Sequence, residues 1–208
     1  MLAGITVHEA SHALVAFRLG DYTAKSLGRL SLNPIRHLDP MGTIMLVFVG
    51  FGWGKPVPVN PFNVAGGRKG LAIVSAAGPV SNLLAASLFA LPFKLGLLSP
   101  GTPFSFFSPL DEGVSGVMAL LFRLAIQLNL VLAVFNFIPI FPLDGSKVVL
   151  GLLPEQAARR FARLEPYGPV ILISVLALDA FTHIGLLSRV LIPVVNYLGK
   201  IILGVDVF

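Results

Sequence analysis

The 208-residue chain contains no cysteine. That excludes disulfide staples, thiol nucleophiles, iron–sulfur clusters and cysteine-ligated zinc, and leaves His, Asp and Glu as the only side chains to hold a metal. Charge is also scarce: Asp, Glu, Lys and Arg make up 12% of the sequence, about half the usual share of a soluble domain, while hydrophobic residues reach 55%. With a mean hydropathy of +0.87, the composition belongs in a bilayer. The net charge of +5 does not point to nucleic acid, because the basic residues are scattered among apolar segments instead of gathered with aromatics on one face. A signal-peptide pattern is lacking too: His8, Glu9 and His12 sit inside the first apolar stretch, which is therefore expected to be retained. No fixed-period repeat suggests a solenoid.

Apolar segments dominate what remains. They fall at about 1–19, 41–54, 71–93, 114–141, 168–187 and 191–205, and predict an all-α polytopic membrane protein with a single integral-membrane domain over 1–208. The first segment is short for a bilayer span of about 20 residues; the residues before His8 rise about 10 Å, roughly a third of the hydrocarbon core. Segment 41–54 is shorter still and rich in Gly, Val and Phe, and the proline-rich KPVPVNPFNVAGGRKG follows it. The region around 41–66 is therefore expected to be re-entrant or to contain a short β element. Pro79 is compatible with a span at 71–93, because neighbouring helices can take up the freed carbonyl. Arg123 is expected to snorkel outward from the 114–141 run.

With 41–54 re-entrant, one face collects Arg18, Lys25, Arg29, Arg36, Lys55, Arg68, Lys69, Lys147, Arg159, Arg160 and Arg163, and the other holds Lys94 and Arg189. By the positive-inside rule the richer face is cytoplasmic.

The expensive feature is HEASH, His8 to His12. Residues four apart share a helix face, so both imidazoles can turn toward one ion, and Glu9 can reach a water beside it. Three ionisable groups in five positions of an apolar helix need joint compensation, which zinc would supply. A catalytic zinc usually has three protein ligands and one open position, so a third must come from elsewhere. Asp144, Asp179 and His183 are the acidic or imidazole candidates inside or bordering apolar segments. Asp144 stands out: it follows a long apolar run, sits in a Pro-Leu-Asp-Gly turn and falls on the same side as the end of the first helix. A turn or cap role is the plainer alternative.

HEASH, then GPVSN (Gly78 to Asn82), then NFIPIFPLDG (Asn136 to Gly145) together resemble the site-2 protease family of intramembrane zinc metalloproteases, in its short prokaryotic type without added regulatory domains. The resemblance covers nearly the whole chain. It implies a site-2 protease-like helical core, one catalytic zinc held by His8, His12 and Asp144, and Glu9 as catalytic base. It also implies that Asn82 lies beside the active site, orienting substrate or stabilising the oxyanion, and that Asn136 arranges the segment leading to Asp144. The implied activity is hydrolysis of peptide bonds in or near transmembrane segments. The implied setting is a prokaryotic inner membrane with the active site toward the cytoplasm, and the implied partners are a transmembrane substrate and the lipid bilayer.

Other readings account for less. An ion-coupled transporter or channel would predict inverted repeats that the sequence does not carry, and an inactive scaffold would not need every chemical residue in place. Asp179 and His183 are read as a polar kink or inter-helix hydrogen bond, His37 as a loop or headgroup-level residue, and GFGWG (50–54) as a packing run with one interfacial tryptophan. Gly78 and Pro79 are expected to allow close helix approach and to bend the span.

Overall fold

The computed structural model describes residues 1–49, 54–99, 113–182, 185–205 and 207. Helices follow in the order α1 (Leu2–Arg18), α2 (Thr23–Ser26), α3 (Pro40–Val49), α4 (Gly67–Lys94), α5 (Gly113–Asn136), α6 (Asp144–Leu152), α7 (Glu155–Ala162), α8 (Gly168–Thr182) and α9 (Leu186–Leu203), with 3₁₀ turns at Pro34–His37 and Glu165–Tyr167. Among the described residues, three stretches are long and apolar enough to cross a membrane: Gly67–Lys94, Gly113–Asn136 and Glu155–Asp179. The chain is an all-α integral membrane protein, as its composition predicts.

α4 is the central post, packed against α1, α5 and α6. Its inner face is a ridge at four-residue steps, Gly70, Val74, Gly78, Asn82, Ala86 and Ala90, all buried. Small residues in that row let neighbouring backbones come close, which matters in lipid because apolar surroundings give helices little reason to associate except packing. The opposite face carries Ile73, Val80, Leu84, Leu88 and Leu91, all exposed and suited to acyl chains. α1 has a matching ridge of Gly4, His8, His12 and Ala16. Its hydroxyls are satisfied within the helix, Thr6 Oγ1 donating to Leu2 O (2.8 Å) and Ser11 Oγ to Val7 O (2.7 Å).

Between α1 and α4 the chain is tied down by buried polar groups. Asp21, fully buried, accepts from Thr23 N (3.1 Å) and Thr23 Oγ1 (2.6 Å), and from Asn60 N (2.7 Å) and Asn63 Nδ2 (3.3 Å) across the loop. Burial pushes the Asp21 carboxyl upward, but these hydrogen bonds outweigh it and hold the group below its ordinary value. Arg29 donates to the carbonyls of Lys55 (3.0 Å) and Pro56 (3.2 Å). His37 is buried, donates from Nε2 to Ser31 O (2.7 Å), and receives Lys55 N on its own carbonyl (2.9 Å). It is an internal strut of the loop.

The structure adds detail in two regions. The 41–66 region is a ten-residue helix, α3, followed from Gly54 by an extended segment; among the described residues it contains no strand, only an isolated antiparallel bridge between Leu38 and Gly54. Pro56, Pro58 and Pro61 remove the donors a ladder would need. The apolar run 114–141 is also not one helix. α5 ends at Asn136, and turns carry the chain to α6, because Pro139 and Pro142 disfavour helix in the residues before them. Trp53 and His183 lie outside the described residues.

Candidate metal centre

The α1 and α4 ridges meet at His8 and His12, and the turn after α5 brings a third group to the same point. His8 Nε2 lies 3.0 Å from Asp144 Oδ2, and His12 Nε2 lies 3.1 Å from that same oxygen. All three ligand atoms fall within 4.8 Å of one another. Around a tetrahedral zinc with bonds of about 2.0–2.1 Å, neighbouring ligand atoms stand about 3.3 Å apart, close to both imidazole–carboxylate separations here.

Gly78 provides the space. A Cβ built there would stand 2.4 Å from His12 Nε2 and 2.5 Å from His8 Nε2, occupying the ground between the two ligand nitrogens. Glycine is thus more than a close-approach residue at this step of α4. It leaves a cradle of ionic size, and an imidazole–imidazole–carboxylate donor set faces it.

Each ligand is aimed by a second contact. His12 Nδ1 donates to the Val74 carbonyl (2.7 Å), an acceptor only, which turns the Nε2 lone pair toward Asp144. His8 Nδ1 lies 2.6 Å from Asn82 Oδ1. Asp144 is the first residue of α6, one past the N-cap position held by Leu143, and its Oδ2 is turned to the two imidazoles. Its turn is set by Gly145, where a Cβ would stand 2.2 Å from Phe137 O and 2.5 Å from Ile138 O, and by the buried Ser146 Oγ donating to Leu143 O at 2.6 Å. Burial pushes the Asp144 carboxyl upward, whereas the facing His12 and His8 pull it well below the usual carboxylate range.

Glu9, Asn136 and the three ligands line a cleft of about 730 Å³ that also takes in the extended segment at Pro56 and Val57. Glu9 Oε2 accepts the Val57 N–H at 2.9 Å. Asn136 Nδ2 donates back to Leu132 O (2.9 Å) in the last turn of α5. Asn82, fully buried, uses its whole amide: Oδ1 faces His8, and Nδ2 donates to Gly4 O (3.1 Å) and Asn129 Oδ1 (2.8 Å). Asp179 stands on α8, outside the three-group cluster.

Sequence reasoning missed Asn129 and the Val57 amide. Asn129 carried a usable signal, an amide in the middle of an apolar span, which is costly unless it has partners. The Val57 contact is made by backbone and leaves no side-chain trace.

Comparison with known proteins places this site in context. The sequence model of "Peptidase family M50" matches residues 94–177, the stretch that carries Asp144. The chain is 39% identical over 197 residues to "Putative zinc metalloprotease YwhC" of Bacillus subtilis (strain 168), covering 94% of this chain and 84% of that protein. It is 31% identical over 189 residues to "Putative zinc metalloprotease Rip2" of Mycolicibacterium smegmatis, covering 88% of this chain and 66% of the relative. For the Rip2 of Mycobacterium tuberculosis (strain H37Rv) the figures are 30% over 179 residues, 83% and 62%. No solved structure matches.

Proposed function

The chain belongs to peptidase family M50, the site-2-protease-like zinc metalloproteases, and from that premise we propose how its residues divide the catalytic work. The protein is a zinc-dependent intramembrane endopeptidase. The observation that carries this is the convergence of His8, His12 and Asp144 on one point beside the Gly78 cradle, between helices built for a bilayer.

His8, His12 and Asp144 hold the ion, and the carboxylate leaves the site less positive than three imidazoles would. Zinc, when bound, polarises the scissile carbonyl and makes water acidic enough to attack near neutral pH. Glu9 is the general base: the Val57 N–H fixes Oε2, and Oε1 takes the attacking water's proton and passes it to the leaving amine nitrogen. Asn82 acts on His8 and not on the substrate, because contact with an oxyanion would require giving up one of the bonds its amide now makes. Asn136, on the cleft wall at the end of α5, supports the turn to Asp144.

The substrate is a transmembrane segment, unwound locally because a helical peptide bond is already hydrogen-bonded on both sides. The extended 54–60 segment forms one cleft wall, and with α3 it supplies a re-entrant element that lets water and extended substrate reach the metal centre. Lys147, Glu155, Arg159 and Glu165 also line the cleft and face the polar flank of such a segment. The charge bias of the loops orients this side to the cytoplasm of a prokaryotic inner membrane.

The test is cleavage of a panel of single-span substrates by purified, zinc-loaded protein in liposomes, with Glu9→Gln beside it. Loss of a general base lowers the rate about 10²–10⁴-fold, with zinc content unchanged. Cleavage by Glu9→Gln at the parent rate would overturn the assignment of the base, and a parent protein without zinc would overturn the assignment of the site.

A further inference from the structure

Behind the metal centre, three helices are joined by a chain of buried amides with only one possible direction. Asn129, on α5 and 3% exposed, donates from Nδ2 to the Ala125 carbonyl at 2.8 Å. A backbone carbonyl only accepts, so the Asn129 amide cannot flip, and its Oδ1 must face Asn82. The Asn82 amide is fixed in the same way. Gly4 O accepts one of its hydrogens, Asn129 Oδ1 accepts the other, and Oδ1 is left for His8 Nδ1. An oxygen there requires His8 to carry its hydrogen on Nδ1, which frees the Nε2 lone pair for the metal.

We propose that Asn129 is a positioning residue for zinc, acting through Asn82 to hold His8 in its metal-binding tautomer. The inference rests on the zinc-site reading above and extends it to a residue that touches neither metal nor cleft. Two carbonyls, Ala125 O on α5 and Gly4 O on α1, set the polarity of the relay. Asn129 supplies the acceptor that keeps the Asn82 NH₂ turned away from His8. Without that acceptor one Asn82 hydrogen is buried without a partner, and the amide gains from rotating its NH₂ elsewhere, including toward Nδ1. The NH₂ would then meet a bare Nδ1, and the hydrogen would move to Nε2, the atom that must ligate.

The experiment compares Asn129→Leu with Asn129→Asp in the full chain, reading zinc affinity by chelator competition and His8 by ¹⁵N NMR of histidine-labelled protein. Asp keeps an acceptor toward Asn82 and, protonated, a donor toward Ala125 O; Leu keeps neither. Asn129→Leu is expected to weaken zinc binding about 10–100-fold, the usual cost of losing an outer-shell partner. In that variant the hydrogen-bonded Nδ1–H signal of His8 is expected to be lost, while Asn129→Asp stays within about threefold of the parent. Parent-like affinity in Asn129→Leu overturns the proposal. So does equal weakening in both variants with the Nδ1–H signal intact, since that marks a packing effect alone. A parent protein that binds no zinc overturns the underlying reading of the site, and the relay with it.

Discussion

The two halves of α4 carry the same four-residue ridge and do different things with it. From Gly70 to Asn82 the ridge faces His8 and His12 on α1, and Asn129 on α5, and polar, directional contacts stand among the apolar ones: His12 to the Val74 carbonyl, His8 to Asn82, and Asn82 to Asn129. From Ala86 to Phe93 it faces Ile126 and Leu130 on α5 and Val195 and Ile202 on α9, in a wholly apolar cluster. The repeat of small residues therefore sets only how closely helices approach. What stands opposite decides whether the close approach becomes a chemical site or a packing seam.

The sharpest way to break this comparison is Gly78→Ala. Helix propensity favours the change by about 1 kcal/mol, yet the new methyl lands between the ligand nitrogens, so zinc affinity is expected to fall at least about 100-fold, at or beyond the upper end for a lost outer-shell partner. Chelator competition on a protein whose apo melting temperature is near that of the parent would show it. Full zinc binding in Gly78→Ala would mean that the cradle is elsewhere.

The apolar half predicts the reverse. Ile126 is fully buried against it, and Ile126→Ala is expected to cost about 2–5 kcal/mol of stability while the folded fraction retains the parent's zinc affinity. Denaturant titration and metal binding on one sample separate the two effects. A large change in zinc affinity with little change in stability would erase the distinction between the halves.

The smallest effect is expected where the loop meets the start of the ridge. The folded Asp21 carboxyl lies below its ordinary value. Its stabilisation is therefore fully present above the unfolded value, about 4, and is lost as pH falls through the lower, folded value. Asp21→Asn should remove that acid-side dependence and lower Tm by about 2–4 °C at neutral pH, the shift that corresponds to about 1 kcal/mol in a chain of this size. An unchanged acid limb in the variant would remove Asp21 from the account.

Much of this was legible in the sequence, for identifiable reasons. Periodicity and membrane cost made His8, Glu9 and His12 conspicuous, and the Pro-Leu-Asp-Gly turn drew attention to Asp144, because a charged group in an apolar run needs a stated partner. The ridge of α4 was only partly visible: Gly78 reads as a packing residue until the imidazoles are placed beside it. Continuous hydrophobicity concealed the break after Asn136, since the end of α5 is set by prolines and by carbonyls crowding Gly145. The Glu9–Val57 bond was invisible because a backbone amide has no sequence signature. Asn129 announced itself as a buried amide but not the direction in which it points.

The central claim, that α1, α4 and the α5–α6 turn assemble one mononuclear zinc site, is tested most directly by zinc-edge X-ray absorption on the purified protein. The account predicts one zinc per chain, with two imidazole nitrogens and a carboxylate oxygen at about 2.0–2.2 Å, and loss of one oxygen scatterer in Asp144→Ala. A first shell without imidazole scattering, or an identical spectrum in Asp144→Ala, would contradict it.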